Sequence, residues 1–342
     1  MHKQLTNIKK ATIVAFFVFT TQFTFSQNTF FQDAEVFVND LLVVSNQYVA
    51  PAADAAVYQS SGSWYSSARV LELFKIDASI HINVLPVPKS QKSFTVSDSD
   101  FDIMKIRVGT SAEVPTALGG DTAVFYDFTL GEDEYELQTF EGAKQSTFYY
   151  PYIQASVGLW KETELTLQYA PEIKIDESGY QTFGGAVKHN LSQYWLGDER
   201  DDQQIEVAFQ VAYSVFDSRI YFDDFAIKPT NPEPGQGPLA VIKSLDVQAN
   251  ALTGQLIGSK QFNNLEVQAS LAVSSNKFDY TIGGDGDIII DLFNGAFDAL
   301  EDANTIARGN LGVNYHFNQF YIASSVSLGT FINTNLSVHY RI

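Results

Sequence analysis

Residues 73–84 read Leu-Phe-Lys-Ile-Asp-Ala-Ser-Ile-His-Ile-Asn-Val, so Phe74, Ile76, Ala78, Ile80, Ile82 and Val84 alternate with Lys75, Asp77, Ser79, His81 and Asn83. Successive side chains of an extended chain point to opposite faces, which gives this stretch one apolar and one polar face. The pattern returns along the chain. Leu165, Leu167 and Tyr169 oppose Glu164, Thr166 and Gln168, and Val207, Phe209 and Val211 oppose Glu206 and Gln210. Leu265, Val267, Leu271 and Val273 oppose Glu266, Gln268, Ser270 and Ser274. The last residues repeat it, with Leu336, Val338, Tyr340 and Ile342 against Ser337, His339 and Arg341. A chain written this way folds as an all-β protein.

The N-terminus carries an export signature. Lys3, Lys9 and Lys10 precede a short apolar run, Ala11–Phe19, and Thr24-Phe25-Ser26 makes an acceptable cleavage site. Residues 1–26 are therefore expected to be a cleaved signal peptide rather than part of the fold. Removing its three lysines takes the formal charge from −19 to −22. So acidic a chain, without a basic cluster, is a poor nucleic-acid binder. It has no cysteine, which excludes a disulfide framework, a thiolate metal site and a lipid-anchored N-terminus. Beyond the signal no apolar stretch is long enough for a transmembrane helix. An aromatic content of 14% beside near-neutral mean hydropathy suits strands that are apolar outside and polar inside.

These features predict a closed antiparallel transmembrane β-barrel over residues 71–342, in the outer membrane of a Gram-negative cell. Connection lengths supply a second argument, since such barrels have short periplasmic turns and longer outer loops. Short connections at Lys161-Glu162, Asn263-Asn264 and Asn318-Gln319 fall on one side of the strand parity. Long ones at 86–100, 131–146, 223–243 and 283–304 fall on the other. The count comes to about twelve strands, within a range of roughly ten to fourteen, including barrel strands at 101–109 and 122–130. A further strand at Tyr135–Phe140 would raise the count. The competing fold is a soluble sandwich, which also buries one face of each strand.

Residues 27–70 read differently. Ala34, Phe37, Val38, Leu41, Leu42 and Ser45 recur at helical spacing, and Pro51 could open a second short helix ending near Gly62. We read this segment as a short helical plug entering from the periplasmic side, with Phe37, Leu41 and Trp64 as gating candidates. A periplasmic extension outside the pore is the alternative.

Three stretches carry a resemblance: Thr163–Ile173, Gly184–Gln193 and Val114–Gly120. They resemble an uncharacterised family of Gram-negative outer-membrane barrels, similar in layout to the FadL-type long-chain fatty-acid porins. The resemblance implies the compartment and the architecture. The fatty-acid porins use a fourteen-stranded barrel with an N-terminal hatch, and no ligand motif transfers to this chain residue by residue.

Chemistry-bearing groups are sparse. His81, His316 and His339 fall on polar, lumen-facing phases and read as hydrogen-bonded lining; His189 falls on the apolar phase and reads as wall. No Gly-x-Ser-x-Gly elbow is present, and enzyme activity is not expected. Gly283–Asp287 and Asp198–Asp202 carry oxygens but lack the spacing of a metal site. Pro229–Pro238 reads as an extended loop. The expected function is passive uptake or capture of a small hydrophobic or amphipathic solute, gated by the N-terminal segment, with no cofactor and no metal. The expected partners are outer-membrane lipid and the barrel assembly machinery, the latter through the C-terminal strand. The alternative is a structural or adhesive surface protein without transport.

Overall fold

In the computed structural model the strands close on themselves in an antiparallel ring. The structure describes residues 29–62, 64–144, 146–174, 177–196, 204–222, 225–286, 288–297 and 304–342. The expected signal peptide and the acidic turn 198–202 lie outside them. A long helix, α1 (His2–Ser60), described from Thr29 onward, leads to the first strand, β1 (Ile76–Pro86). Five short strands follow: β2 (Ser93–Ser97), β3 (Lys105–Ile106), β4 (Ser111–Pro115), β5 (Phe125–Leu130) and β6 (Asp133–Gln138). The chain then alternates through β7 (Thr147–Leu159), β8 (Thr163–Ile175) and β9 (Ser178–Asn190). After a short helix, α2 (Gln193–Leu196), come the three longest strands, β10 (Ile205–Pro229), β11 (Ala240–Phe262) and β12 (Leu265–Asp285). Helix α3 (Asp287–Asp298) precedes β13 (Asn304–Phe317), β14 (Phe320–Leu328) and β15 (Ile332–Arg341).

The ring is ten-stranded, β1 and β7–β15, closed by the pairing of β1 with β15. The sandwich alternative is thereby excluded. The expected count of about twelve is corrected too. Segment 101–109 contributes only the two-residue β3, and 122–130 becomes β5, neither of which enters the ring. Tyr135–Phe140 contributes β6, which pairs with the ring through Lys228–Glu136 and Pro229–Tyr135 at the tip of β10. The physical reason is the partner of the apolar phase. Tyr126, Phe128 and Leu130 are buried against Phe37 and its neighbours on α1, not turned outward. Alternation identifies an apolar face but not what covers it. Strands this short also fall below the roughly 9–11 residues a barrel strand needs to span a bilayer.

Burial along the ring is inverted relative to a water-soluble sheet. On β12, Glu266, Gln268, Ser270, Ser274 and Asn276 are buried, while Leu271 is 72% exposed and Val267 and Val273 are about as open as a surface residue. The same holds on β10, where Gln210 is buried and Phe209 and Val211 are exposed. The polar phase lines the lumen and the apolar phase forms the outer wall.

Three of the tight turns, β7–β8, β11–β12 and β13–β14, share one end. Lys161, Glu162, Asn263 and Asn318 all have positive φ, the left-handed geometry a two-residue hairpin needs, and asparagine tolerates it well. At the other end the β1–β7, β10–β11 and β12–β13 connections build a cap. There α1 packs Phe37, Leu41, Val44 and Tyr48 against β5, β6, α3 and the tips of β10–β12. Helix α1 thus sits at the long-loop end, not at the short-turn end expected of a periplasmic hatch. It also passes unbroken through Pro51, where a second helix was expected to begin. Tertiary packing on both sides, by Tyr48 and Val49 before it and Ala53 and Ala56 after it, offsets the ~3 kcal/mol a helix-interior proline costs.

Phe37 stacks on Phe128 at 4.1 Å between centroids and meets Phe293 edge-on at 6.3 Å. Phe37→Ala is expected to cost the cap about 3–4 kcal/mol. Protease should then cut within residues 29–50 much faster, while the ring strands remain protected.

Candidate functional site

The last turns of α1 descend into the ring. Ala52, Ala53, Ala55 and Ala56 give this stretch of helix a narrow profile, and Val57 and Tyr58 are fully buried. A small residue is required at the exit, because a β-carbon on Gly62 would lie 2.8 Å from the Tyr58 carbonyl oxygen. From Ser61 to Glu72 the chain crosses the lumen without regular structure, so its backbone groups need partners from the wall. Asn83 of β1 and Asn333 of β15 donate to the carbonyls of Gln59 and Tyr58 at 3.3 and 3.4 Å. Gln210 of β10 donates to the Trp64 carbonyl at 3.3 Å, and Lys188 and Asn190 of β9 donate to those of Ser67 and Ala68 at 3.1 and 3.2 Å. The Ala68 amide donates to Ser259 of β11 at 3.1 Å, and the Leu71 amide to Glu164 of β8 at 3.2 Å. Ser66 meets the Tyr321 hydroxyl of β14 at 2.7 Å. Arg308 of β13, deeply buried, donates to Ser61 Oγ at 2.6 Å and to the Ser61 carbonyl, beneath the Tyr58 ring. These bonds come from most of the ring's strands, so the segment is encircled.

Two cavities flank it. At the long-loop end a cavity of about 840 Å³ lies between α1, the cap and the wall, lined by Leu85, Phe140, Phe148, Phe216, Phe225 and Tyr280 among others. Its rim carries Glu141, Lys144 and Lys228. Here burial, and then the Glu141 carboxylate, push the Tyr48 phenol well above its ordinary range. The phenol therefore stays protonated and donates to the Glu141 carbonyl at 2.7 Å. At the short-turn end a second cavity of about 450 Å³ is lined by charge: Asp77, Glu164, Lys188, Glu266, His316 and Arg341. Those charges are matched. Lys188 Nζ lies 2.9 Å from Glu164, and His316 Nε2 lies 3.1 Å from Glu266.

The seam between β1 and β15 is held from the lumen side by two Ser-x-His pairs placed head to tail. Ser79 pairs with His339 and His81 with Ser337 across the strands. His339 Nδ1 lies 2.8 Å from Asp77 Oδ1, and its Nε2 lies 2.9 Å from Ser337 Oγ. His81 Nδ1 lies 3.3 Å from Asn335 Oδ1 and its Nε2 lies 2.8 Å from Ser79 Oγ. Arg341 closes on the other Asp77 oxygen at 3.3 Å. Each imidazole is also stacked, His339 on Tyr321 at 4.1 Å and His81 on Tyr152 at 4.5 Å. The order carboxylate, imidazole, hydroxyl is that of a nucleophile relay. Ser337, however, is buried and lines neither cavity, and the array's evident effect is to fasten the first strand to the last.

Against known families, the model described as "Family of unknown function (DUF6588)" matches residues 3–342. The chain belongs to this family. No curated protein sequence matches it. Among solved structures it is similar to the translocator domain of the autotransporter NalP from Neisseria meningitidis. That match has 11% identity, covers 87% of this chain and 98% of that one, and has a TM-score of 0.30. It is similar to Ail, the attachment invasion locus protein of Yersinia pestis, at 8% identity over 79% of this chain and 100% of that one, with a TM-score of 0.24. An outer membrane channel from Pseudomonas putida F1 is similar at 9% identity over 82% and 98%, with a TM-score of 0.25. Likenesses this shallow assign no role to the family member described here.

Of the three gating candidates, only Trp64 lies in the lumen. Phe37 and Leu41 are buried in the cap. His81, His316 and His339 take the lumen-facing positions expected of them. His189 sits at the short-turn rim, bonded to Thr163 Oγ1 and to the Tyr194 hydroxyl, both at 2.9 Å. In the Gly283–Asp287 turn, Asp285 pairs with Lys243 at 2.6 Å, and no group of metal-ligating side chains stands out among the described residues. Helix α3 lies inside the long 283–304 connection, where the sequence predicts a loop. Its signal was the Ile289, Phe293, Phe297 repeat, spaced for one face of a helix.

The seam gives a direct test. Asp77→Ala leaves His339 and Arg341 without their shared acceptor in a buried setting. It is expected to lower stability to urea by ~1–3 kcal/mol. His189→Ala, at the exposed rim, serves as the control and should change little.

Proposed function

We propose that this protein is an outer-membrane barrel through which a small hydrophobic or amphipathic solute is captured and passed, with the N-terminal segment as the gate. The observation that carries this reading is the arrangement along the lumen: an apolar cavity beneath the cap, a tethered segment filling the waist, and a polar cavity beyond it. A solute with an apolar part fits the first cavity, which has the size and aromatic lining of a small-molecule site. Passage then requires the segment to shift, with no bond-breaking step and no cofactor.

The membrane placement rests on the outer wall. Leu271, Ile80, Leu167 and Leu311 are all at least 59% exposed, which water would penalise and hydrocarbon would not. Phe74, Trp160, Tyr194, Trp195, Phe317 and Phe320 are exposed around the short-turn rim, where an interfacial aromatic belt belongs. Loop lengths support a reading in which that rim is periplasmic and the cap faces outward. The bonding of the segment to most of the ring's strands favours a second reading, a closed structural barrel that displays its cap as a surface domain.

Two measurements bear on these readings. Leu271→Arg, on the outer wall, is expected to destabilise folding into lipid vesicles by ~2–4 kcal/mol, whereas Leu271→Phe should be near neutral. Deleting residues 29–72 should leave a ring that still inserts and conducts ions well above the intact protein in planar bilayers. An inserted deletion variant with unchanged conductance would favour the structural barrel.

A further inference from the structure

At the level of Trp64 the lumen is lopsided. On the β1, β13, β14 and β15 side, the inward phase carries large, interbonded groups such as His81, Arg308, Tyr321 and His339. On the β8–β10 side, between Gln168 and Gln210, it carries the small residues Thr166, Ala170, Gly184, Ala186, Ala212 and Ser214. The gap left by these small residues is filled by the Trp64 indole, which packs on Ala186 and Ala212 and is 1% exposed. The fit is close, since a β-carbon at Gly184 would lie 2.8 Å from Trp64 Cη2.

The groups around the indole are polar and unsatisfied. Gln154 Oε1, both amide atoms of Gln168, Ser214 Oγ, Thr253 Oγ1 and Trp64 Nε1 are buried and have no hydrogen-bond partner among the described residues. Register makes them neighbours: Gly184 pairs with Gln168 on one side and Ser214 on the other, Ala212 pairs with Thr253, and Gln154 pairs with Gln168. Buried amides and hydroxyls are almost always bonded in folded proteins, so a contiguous set without protein partners marks a place for water or a hydrogen-bonding solute. The set leads from the lower cavity toward the upper one. Trp64 and Gln154 line the lower one, and Phe216 and Tyr180, further along β10 and β9, line the upper one. None of these polar side chains is ionisable.

We propose that the space between Trp64 and strands β8–β11 is the solute lane, that Trp64 closes it, and that the lane accepts an uncharged polar end bearing hydroxyl or amide groups. This rests on the reading of the lumen as a passage and adds to it the chemistry of the solute's polar part. Amides and hydroxyls can bond such a group from every side. A charged group, by contrast, would leave water without a counter-ion among these side chains, since Arg308, across the lumen, is engaged by Ser61 and the Tyr58 ring. Displacing the indole uncovers the unsatisfied set without disturbing the seam.

Swelling of protein-loaded vesicles tests this with glucose, gluconate and glucosamine, which share a carbon chain and differ in charge. Trp64→Ala is expected to swell several-fold faster in glucose than the intact protein, with both charged sugars markedly slower; Trp64→Phe should stay near the intact rate. If Trp64→Ala matches the intact protein while the 29–72 deletion opens, the lane is wrong and the passage reading stands. If neither opens, the passage reading itself falls. Equal rates for glucose and gluconate overturn the neutral-solute assignment. A second readout leaves the gate untouched. Replacing Trp160 and Trp195 by Phe makes Trp64 the sole tryptophan, since the chain has three. Acrylamide, a small neutral amide, should quench its fluorescence while iodide and caesium do not; resistance to all three quenchers overturns the lane.

Discussion

Everything in this structure follows from one constraint: a ring that turns its apolar phase outward must bury its polar phase, and each buried donor or acceptor then needs a partner. Across an eight-stranded ring, inward side chains can meet one another. A ten-stranded ring is wider. Here the missing partners come from the chain's own N-terminal segment, whose backbone carbonyls accept from Gln210, Lys188 and Asn190 and whose hydroxyls meet Tyr321 and Arg308. The segment is therefore part of the folding problem as much as of any gating. Its extended stretch between Ser61 and Glu72 is useful because it leaves backbone groups free for the wall, which a helix would have consumed.

The ring was legible because its strands obey a period of two over long runs. The turn residues at Lys161-Glu162, Asn263 and Asn318 also marked one end of it correctly. The count was not legible at β3 and β5. There the alternation is real, but its apolar side meets Phe37 on α1, and a one-dimensional pattern holds no information about which surface lies opposite. The same limit hid the destination of Phe37 and Leu41, whose helical stripe required a partner without specifying whether cap or lumen supplied it. Trp64 reads as important because a tryptophan in a small-residue stretch is conspicuous. Its notch was invisible, since Gly184 and Ala186 come from β9 and Ala212 from β10, and only the register sets them side by side. The seam of Asp77, His81, Ser337 and His339 joins the two extremes of the ring in the same way.

The division of chemistry along the lumen is physically coherent. Aromatic and aliphatic side chains collect under the cap, uncharged amides and hydroxyls line the β8–β11 side of the waist across from Arg308, and ion pairs lie at the short-turn end. A charge placed among those amides would be costly, whereas at the short-turn end Lys188 has Glu164 at 2.9 Å. A molecule moving through would meet surroundings that grow steadily more polar.

The segment is anchored at both ends to the ring it fills. Above, α1 is clamped by strands belonging to the β1–β7 connection; below, the chain turns at Leu73-Phe74 and enters β1. It is thus a thread through an eye whose two ends are sewn into the cloth. It cannot be expelled to either side as a free cork can, and its motion is confined to bending or sliding by the slack the cap allows. Openings are then small and graded, and withdrawing the segment requires α1 to give up its packing in the cap. The same geometry couples the cap to the lumen, because whatever loosens one slackens the other.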